Sequence, residues 1–363
     1  MFPPKYGTLY IAPDHYVQPE DVQLAYNTEY PNLNSRDYAK RPLNQTLLMH
    51  TAWECINLNE EQQVILATNK LEGRDWSSSL WGFENVDELE PEAACFKLQC
   101  NSLISQLQYV AKNIFLMALH SGKLQVWSTR SEVRNPNNPY CLFQIGEKCE
   151  HLKPIHCMDV MKSKVDKAVT GSKDGALKVW DMGSADLYST HSFRFAHIDV
   201  VTGVDTSNKD ENVFATCSLD KSALLWDLRL ARPATAIFEN HKVRFKTLAW
   251  ASPTQDSAEN CIYLGDETGC LYTVDKRFPN EMVNSVQVFD RPLRKIVLNG
   301  EKIALIGHTN QVKIFAAADA TTACTEIYEN SESTNFVRDV VWSSPNDLYT
   351  VGFEGKLRKH ALI

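Results

Sequence analysis

Histidine, threonine and aspartate recur in this chain at a fixed offset. His151, Thr170 and Asp174 stand ahead of Trp180, and His197, Thr216 and Asp220 stand ahead of Trp226. The His-to-Thr spacing is 19 residues in both sets. These residue types build hydrolytic triads, in which an acid orients an imidazole that deprotonates a hydroxyl. They also build buried tetrads. The carboxylate accepts from turn amides and from the imidazole, the imidazole reaches the hydroxyl, and the hydroxyl accepts from the indole N–H. Catalysis does not need two copies at one offset, so the repetition favours a structural role.

Other reactive patterns are missing. The sequence holds no Gly-rich phosphate loop, no HExxH and no GxSxG. Gly171-Ser172 resembles a nucleophile elbow only loosely and falls within one of the repeated turns. His151, His156 and Cys157 lie close together but make a poor metal site, so no metal and no other cofactor is expected. The ten cysteines contain no CxxC; Cys95 and Cys100 are the nearest such pair. They are expected to be reduced and mostly buried. One further motif, Trp226-Asp227-Leu228-Arg229, fits a WDxR pattern.

The elements that would position these residues follow from the repeats. His120-Ser121-Gly122 to Trp127, Gly171-Ser172-Lys173-Asp174-Gly175 to Trp180-Asp181, and Cys217-Ser218-Leu219-Asp220 to Trp226-Asp227 align under one another. Each reads as a strand, a tight turn and a second strand. Asp-Gly between apolar alternations signals a hairpin, because Gly tolerates the positive φ such turns require. Weaker units close at Trp81, Val274, Phe315 and His360, so the markers fall at 81, 127, 180, 226, 274, 315 and 360. Spacings of 41–53 residues with Trp-Asp endings are the signature of WD-repeat propeller blades. The expected fold is therefore all-β: a seven-bladed WD-repeat β-propeller over 45–363. Three residues follow His360, too few for an outer strand. A segment before Trp53, within Gln45 to Thr51, is expected to supply that strand and close the ring.

Composition bounds the function. The chain carries 37 Lys+Arg against 45 Asp+Glu, a formal net charge of -8, which argues against a dedicated nucleic-acid binder. The longest apolar runs, such as Ile114 to Leu119, are far shorter than the roughly 20 residues a membrane helix needs. The N-terminus has no signal-like apolar run, so a cytoplasmic protein with access to the nucleus is expected and the sequon Asn44-Gln45-Thr46 reads as chance. Residues 1–44 hold six tyrosines and six prolines without a period. They read as an irregular arm that packs by its rings, binds a partner, or both. Asn69 to Trp81 reads as an extended loop in the first blade, with Trp76 folding back or projecting as an anchor. Glu84, Asp87, Glu88, Glu90 and Glu92 form an acidic run, either a solvated linker or an attractor of basic tails.

Taken together, the motifs resemble the WD-repeat subunit of the methylosome, the partner of the symmetric-dimethylating protein arginine methyltransferase. Gly73-Arg74-Asp75-Trp76 with Ser79-Leu80-Trp81 carries the resemblance, as do the third and fourth units. So do the later stretches Leu248-Ala249-Trp250, Gly265-Asp266-Glu267 and Asn335-Phe336-Val337-Arg338-Asp339. The resemblance covers about 45–363. It implies a propeller that docks on the N-terminal TIM-barrel domain of the methyltransferase, stabilises it, and helps present histone and Sm-type substrates. It places Trp76 at the family's inserted tryptophan with Arg74 beside it, and Phe336 and Arg338 on a segment sharing the docking face. The tyrosine-rich arm departs from the family's usual N-terminus and implies an invertebrate, germline member, for which a Tudor-domain protein is a further partner.

Three functions compete on these grounds. The first is a non-catalytic scaffold subunit for arginine methylation. The second is a substrate receptor of a cullin-type ubiquitin ligase, motivated by the WDxR motif. The third is an enzyme using the central channel, which would need an unpaired acid or histidine facing that channel.

Overall fold

A computed structural model describes residues 52–72, 75–131, 140–183, 187–240, 242–251, 260–316 and 324–362. Of Leu71, Glu72, Asp75, Trp76 and Ser131 only the backbone is described. The arm over 1–44 and the closing strand expected within Gln45 to Thr51 lie outside the described residues.

The described chain folds into seven antiparallel sheets, each an up-and-down meander. Blade 1 holds β1 (Ala52–Leu58), β2 (Val64–Glu72), β3 (Asp75–Phe83) and β4 (Phe96–Cys100). Blade 2 holds β5 (Ile104–Ala111), β6 (Ile114–Leu119), β7 (Lys123–Ser131) and β8 (Tyr140–Cys149). Blade 3 holds β9 (Ile155–Val160), β10 (Lys167–Ser172), β11 (Leu177–Asp181) and β12 (Tyr188–Phe193). Blade 4 holds β13 (Val201–Thr206), β14 (Val213–Ser218), β15 (Ser222–Asp227) and β16 (Ala234–Glu239). Blade 5 holds β17 (Phe245–Trp250), β18 (Cys261–Asp266), β19 (Cys270–Asp275) and β20 (Met282–Gln287). Blade 6 holds β21 (Leu293–Asn299), β22 (Lys302–Gly307), β23 (Val312–Ala316) and β24 (Thr325–Asn330). Blade 7 holds three described strands, β25 (Val337–Trp342), β26 (Asp347–Gly352) and β27 (Arg358–Ala361). All seven sequence markers, including the degenerate Val274, Phe315 and His360, lie on the third strand of their blades.

A single four-stranded sheet cannot bury both faces, so stability comes from stacking. Six apolar clusters each span two consecutive blades, from blades 1 and 2 round to 6 and 7. Trp180 packs toward blade 2 and Trp226 toward blade 3. Polar bonds tie neighbouring first strands. Asp159 Oδ2 accepts from Thr206 N (2.8 Å), Asp205 Oδ2 from Trp250 N (2.7 Å) and Asn57 Oδ1 from Tyr109 N (2.9 Å). Asp339 Oδ2 accepts from Ile56 N (3.0 Å), and Tyr349 Oη donates to Asp87 (3.2 Å), so blade 7 is bonded to blade 1.

The turn chemistry fits the repeat. Gly175 has φ +77°, and a Cβ there would meet His197 O at 2.6 Å. Its counterpart in blade 4 is Lys221, which adopts φ 73° without glycine's freedom, a strained choice. No disulfide joins the ten cysteines, and seven of them are buried. Burial alone pushes Cys100 up to about 11.

Candidate functional site

The two sequence-predicted tetrads are assembled, but unequally. In blade 4, Thr216 Oγ1 accepts from Trp226 Nε1 (2.9 Å) and lies 2.8 Å from His197 Nε2. His197 Nδ1 stands 2.9 Å from Asp220 Oδ2, and Ser222 Oγ donates to Asp220 Oδ1 (2.6 Å). Burial works against the charge of Asp220, yet the bonds from His197 and Ser222 hold its carboxyl below the usual range. In blade 3, Thr170 meets both His151 Nε2 and Trp180 Nε1 at 2.8 Å. The His–Asp link is open there: His151 Nδ1 is 3.6 Å from Asp174 and has no hydrogen-bond partner. Asp174 instead accepts from Leu152 N and Ala176 N. Ala176 stands where blade 4 has the bridging Ser222. Burial pushes His151 down to about 4 against the pull of Asp174. Both networks are enclosed between sheets and leave no space for a substrate.

The WDxR residues are engaged internally. Arg229 forks onto Asp227 at 2.8 Å from both Nε and Nη2, and also reaches Asp210 (2.9 Å). Blade 5 repeats the fork with Arg277 on Asp275, where no Trp precedes it. The motif thus braces a strand end.

Asn69 to Trp81 is not a loop. In blades 2, 3 and 4 the second and third strands stop pairing at Ala118–Leu124, Gly171–Leu177 and Cys217–Ala223. Measured from the first strand, the matching pair in blade 1 is Ala67–Leu80. The ladder continues there through Thr68–Ser79, Asn69–Ser78, Lys70–Ser77, Leu71–Trp76 and Glu72–Asp75. Five further pairs add roughly 15 Å of strand. Small polar residues make this possible: Ser78 donates to Asn69 (2.6 Å), and Ser79 bonds Thr68 (2.7 Å) while accepting from Trp81 Nε1 (2.8 Å). The backbone of Trp76 sits one pair from the tip. The Trp76 side chain and all of Arg74 lie outside the described residues.

The other two expected docking residues part company. Phe336 is 49% exposed. Arg338 turns into the central channel, where it bonds Glu54 (2.5 Å) and lies 4.8 Å from the Phe353 ring centre. Sequence reading missed three residues of the same face. Leu152, Phe195 and Ile198 are 92%, 96% and 99% exposed, in the connections leading into β9 and β13. The available signal was a large aliphatic residue directly after each tetrad histidine.

The acidic run joins β3 to β4, at the end of blade 1 opposite the extended hairpin. Buried Val86 and Leu89 pin it, and all five carboxylates face solvent.

A channel of about 1170 Å³ runs through the ring, bordered by first strands. Each first strand carries a β-bulge near its start, leaving one unpaired residue aimed at the channel. Blades 1 to 4 place Glu54, Ser105, His156 and Thr202 there; blades 5 to 7 place Lys246, Arg294 and Arg338. Glu54 accepts from both Arg294 (2.8 Å) and Arg338. Of the other lining carboxylates, Asp339 is paired with Lys295 (2.5 Å) and Asp205 with Lys162. His156 opens onto the channel, yet desolvation by the surrounding wall, with the Arg294 guanidinium next, pushes it down to about 4. Among the described residues no group of three His, Cys, Asp or Glu side chains is placed to hold a metal ion.

Comparison with known proteins gives these features a family. A WD domain, G-beta repeat model matches 144–181 and 188–227, the stretch holding both tetrads. The chain is 34% identical to Protein valois of Drosophila melanogaster over 368 residues, covering all of both chains. It is 24% identical to Methylosome protein WDR77 of Xenopus laevis, covering 89% of this chain and 93% of that one. A solved chain from the Mitotic Checkpoint Complex superposes with a TM-score of 0.67 at 15% identity, over 88% of this chain and 93% of that chain, which speaks to the fold alone. Matched from end to end by one relative and over most of its length by the other, the chain belongs to the WD-repeat family of Valois and the methylosome protein WDR77.

Proposed function

We propose that this protein is a non-catalytic scaffold subunit that binds and stabilises a protein arginine methyltransferase and helps present histone and Sm-type substrates to it. The observation that carries this reading is the extended β2–β3 hairpin, which lifts Trp76 beyond the end of every other described blade hairpin, in a chain whose relative is named for the methylosome. A tryptophan carried on a strand-paired arm is a residue type that anchors in partner pockets. Exposed Leu152, Phe195, Ile198 and Phe336 lie on the same face and can widen the contact.

His120 and His156 face the channel, but among the described residues no carboxylate is bonded to either ring to orient it as a base, which favours the non-catalytic side of the reading. Each of its lining carboxylates is engaged by a cation, and the tetrad imidazoles are enclosed. Its cationic arc also repels arginine-rich tails, so substrate tails are better served by the opposite face, where the acidic segment lies. The cullin-type receptor reading loses its motivation, because Arg229 is held by Asp227 and Asp210.

The test is a binding titration of Trp76→Ala against the methyltransferase. Loss of an aromatic anchor costs about 2–4 kcal/mol, or roughly 30- to 1000-fold in Kd. Unchanged affinity in a variant with native circular dichroism would remove the hairpin from the interface. Affinity purification that yields a ligase adaptor and no methyltransferase would defeat the whole reading.

A further inference from the structure

The bulge ring has a charge opposite to that of the molecule. The protein carries a formal -8, yet three consecutive bulge positions are Lys246, Arg294 and Arg338. Lys173, from the β10–β11 turn, faces the same mouth. The local carboxylates do not balance them. Glu54 serves two guanidiniums at once, and Asp339 and Asp205 are taken by Lys295 and Lys162. No carboxylate among the described residues pairs with Lys246 or Lys173. About three positive charges are therefore left over around one opening.

These groups act on one another. The His156 ring senses Arg294, His120, Lys246 and Lys173 together, which places blades 2, 3, 5 and 6 around one shared volume. The His308 ring, at the β22–β23 turn, senses Arg294, Arg338 and Lys246. Desolvation by the channel wall, with the neighbouring cations, pushes both rings down to about 4, although both residues keep access to solvent. Arg294 is itself disfavoured by burial and by Arg338. The fold holds these like charges together through rigid backbone bulges. Such a site is preorganised for an anion and relieved by one.

We propose that the hairpin-side mouth of the channel is a binding site for a phosphomonoester dianion, held by Lys246, Lys173 and the Arg294–Arg338 pair, with the His156 ring beside them. A carboxylate would answer only one of the leftover charges. A phosphomonoester brings nearly two charges and three acceptor oxygens, and planar guanidiniums match its geometry. The opening is far larger than a bare ion, so it admits either a phosphorylated residue of a peptide or a free small phosphomonoester. The site does not depend on the methyltransferase reading.

The experiment is isothermal calorimetry on the full-length protein at low and moderate salt. The probes are inorganic phosphate, O-phosphoserine, a capped Gly-phosphoserine-Gly peptide and its Gly-Glu-Gly counterpart. Tighter binding of the phosphopeptide than of phosphoserine supports a peptide source, and equal binding supports a small-molecule source. Either sustains the site if the double variant Lys246→Gln/Lys173→Gln weakens it by about ten-fold or more and added salt weakens it further. Neither lysine has a carboxylate partner among the described residues, so the variant should fold. Should it not, a histidine Cε1–H NMR titration of the unaltered protein decides: bound phosphate must raise the His156 titration midpoint. No heat and no His156 shift with any phosphate probe would overturn the proposal. Equal affinity for the glutamate peptide would overturn its assignment to phosphate.

Discussion

Replacing Thr216 with valine separates a structural tetrad from a catalytic one. The hydroxyl lies at the centre of the blade 4 network, fully buried, and holds two nitrogens: Trp226 Nε1 at 2.9 Å and His197 Nε2 at 2.8 Å. Valine keeps the shape and β-branching, so no cavity opens. What changes is that two buried polar groups lose their partner in a region closed to water. Each such group costs about 1–3 kcal/mol, giving a total of roughly 2–6 kcal/mol. The control is Thr216→Ser, which keeps the hydroxyl and deletes one methyl, at about 1 kcal/mol. Urea unfolding followed by tryptophan fluorescence should therefore rank the native protein first, Thr216→Ser close behind and Thr216→Val well below. In blade 3, Thr170→Val should cost less in its His–Asp limb, because that limb is already open. Equal midpoints for Thr216→Val and Thr216→Ser would refute the argument that this network stabilises the blade. A catalytic His-Thr-Asp set would instead leave stability unchanged and abolish turnover.

Three further outcomes follow from the geometry. Burial holds His151 and His360 near 4, below the ordinary 6.5 of the unfolded chain. The unfolded state therefore binds protons first, so stability is complete above pH 6.5 and is lost as pH falls toward 4. The loss is at most about 3 kcal/mol per histidine, and urea midpoints at pH 7 and 5 should differ, with a shallower slope in His151→Gln. Glu54→Ala leaves two guanidiniums unpaired at the blade 7 to blade 1 junction and should cost roughly 3–5 kcal/mol; calorimetry showing no loss would sink that account of the junction. The Arg229 side chain is 56% exposed, so Arg229→Ala should cost no more than about 1 kcal/mol and leave methyltransferase affinity unaltered in a pull-down.

The sequence carried the blades because each third strand ends on a residue that must pack on the preceding blade. That demand is met by Trp180 and Trp226, and still by Val274, Phe315 and His360, where the usual indole is gone. His360 shows how: Thr350 Oγ1 lies 2.9 Å from its Nε2 and Tyr328 Oη 3.0 Å from its Nδ1, so the ring takes the indole's polar role. The hairpin was misread because Ser77-Ser78-Ser79 has the composition of a loop. All three are strand residues, and the hydroxyls of Ser78 and Ser79 bond across to Asn69 and Thr68, a pairing that only the register reveals. The open His–Asp link in blade 3 turns on one hydroxyl, Ser222 against Ala176, that the repeat pattern does not weigh.

The bulge ring was illegible for a deeper reason. Its members share no chemistry: Glu, Ser, His, Thr, Lys, Arg and Arg occupy one backbone position in seven blades. What they share is a slip in register, and that is visible only once the second strand is laid beside the first. The slip lets the fold hold its blade-to-blade packing constant while the channel-facing residue varies without penalty to the ladder. The repeat is broken at the bulges, at the overlong hairpin and at the acidic crossover. The break points fall on two faces of opposite charge, cationic at the hairpin side and anionic at the other. Fields of this kind persist for about 8 Å at physiological salt, shorter than the run of a blade, so the two faces can select oppositely charged ligands independently.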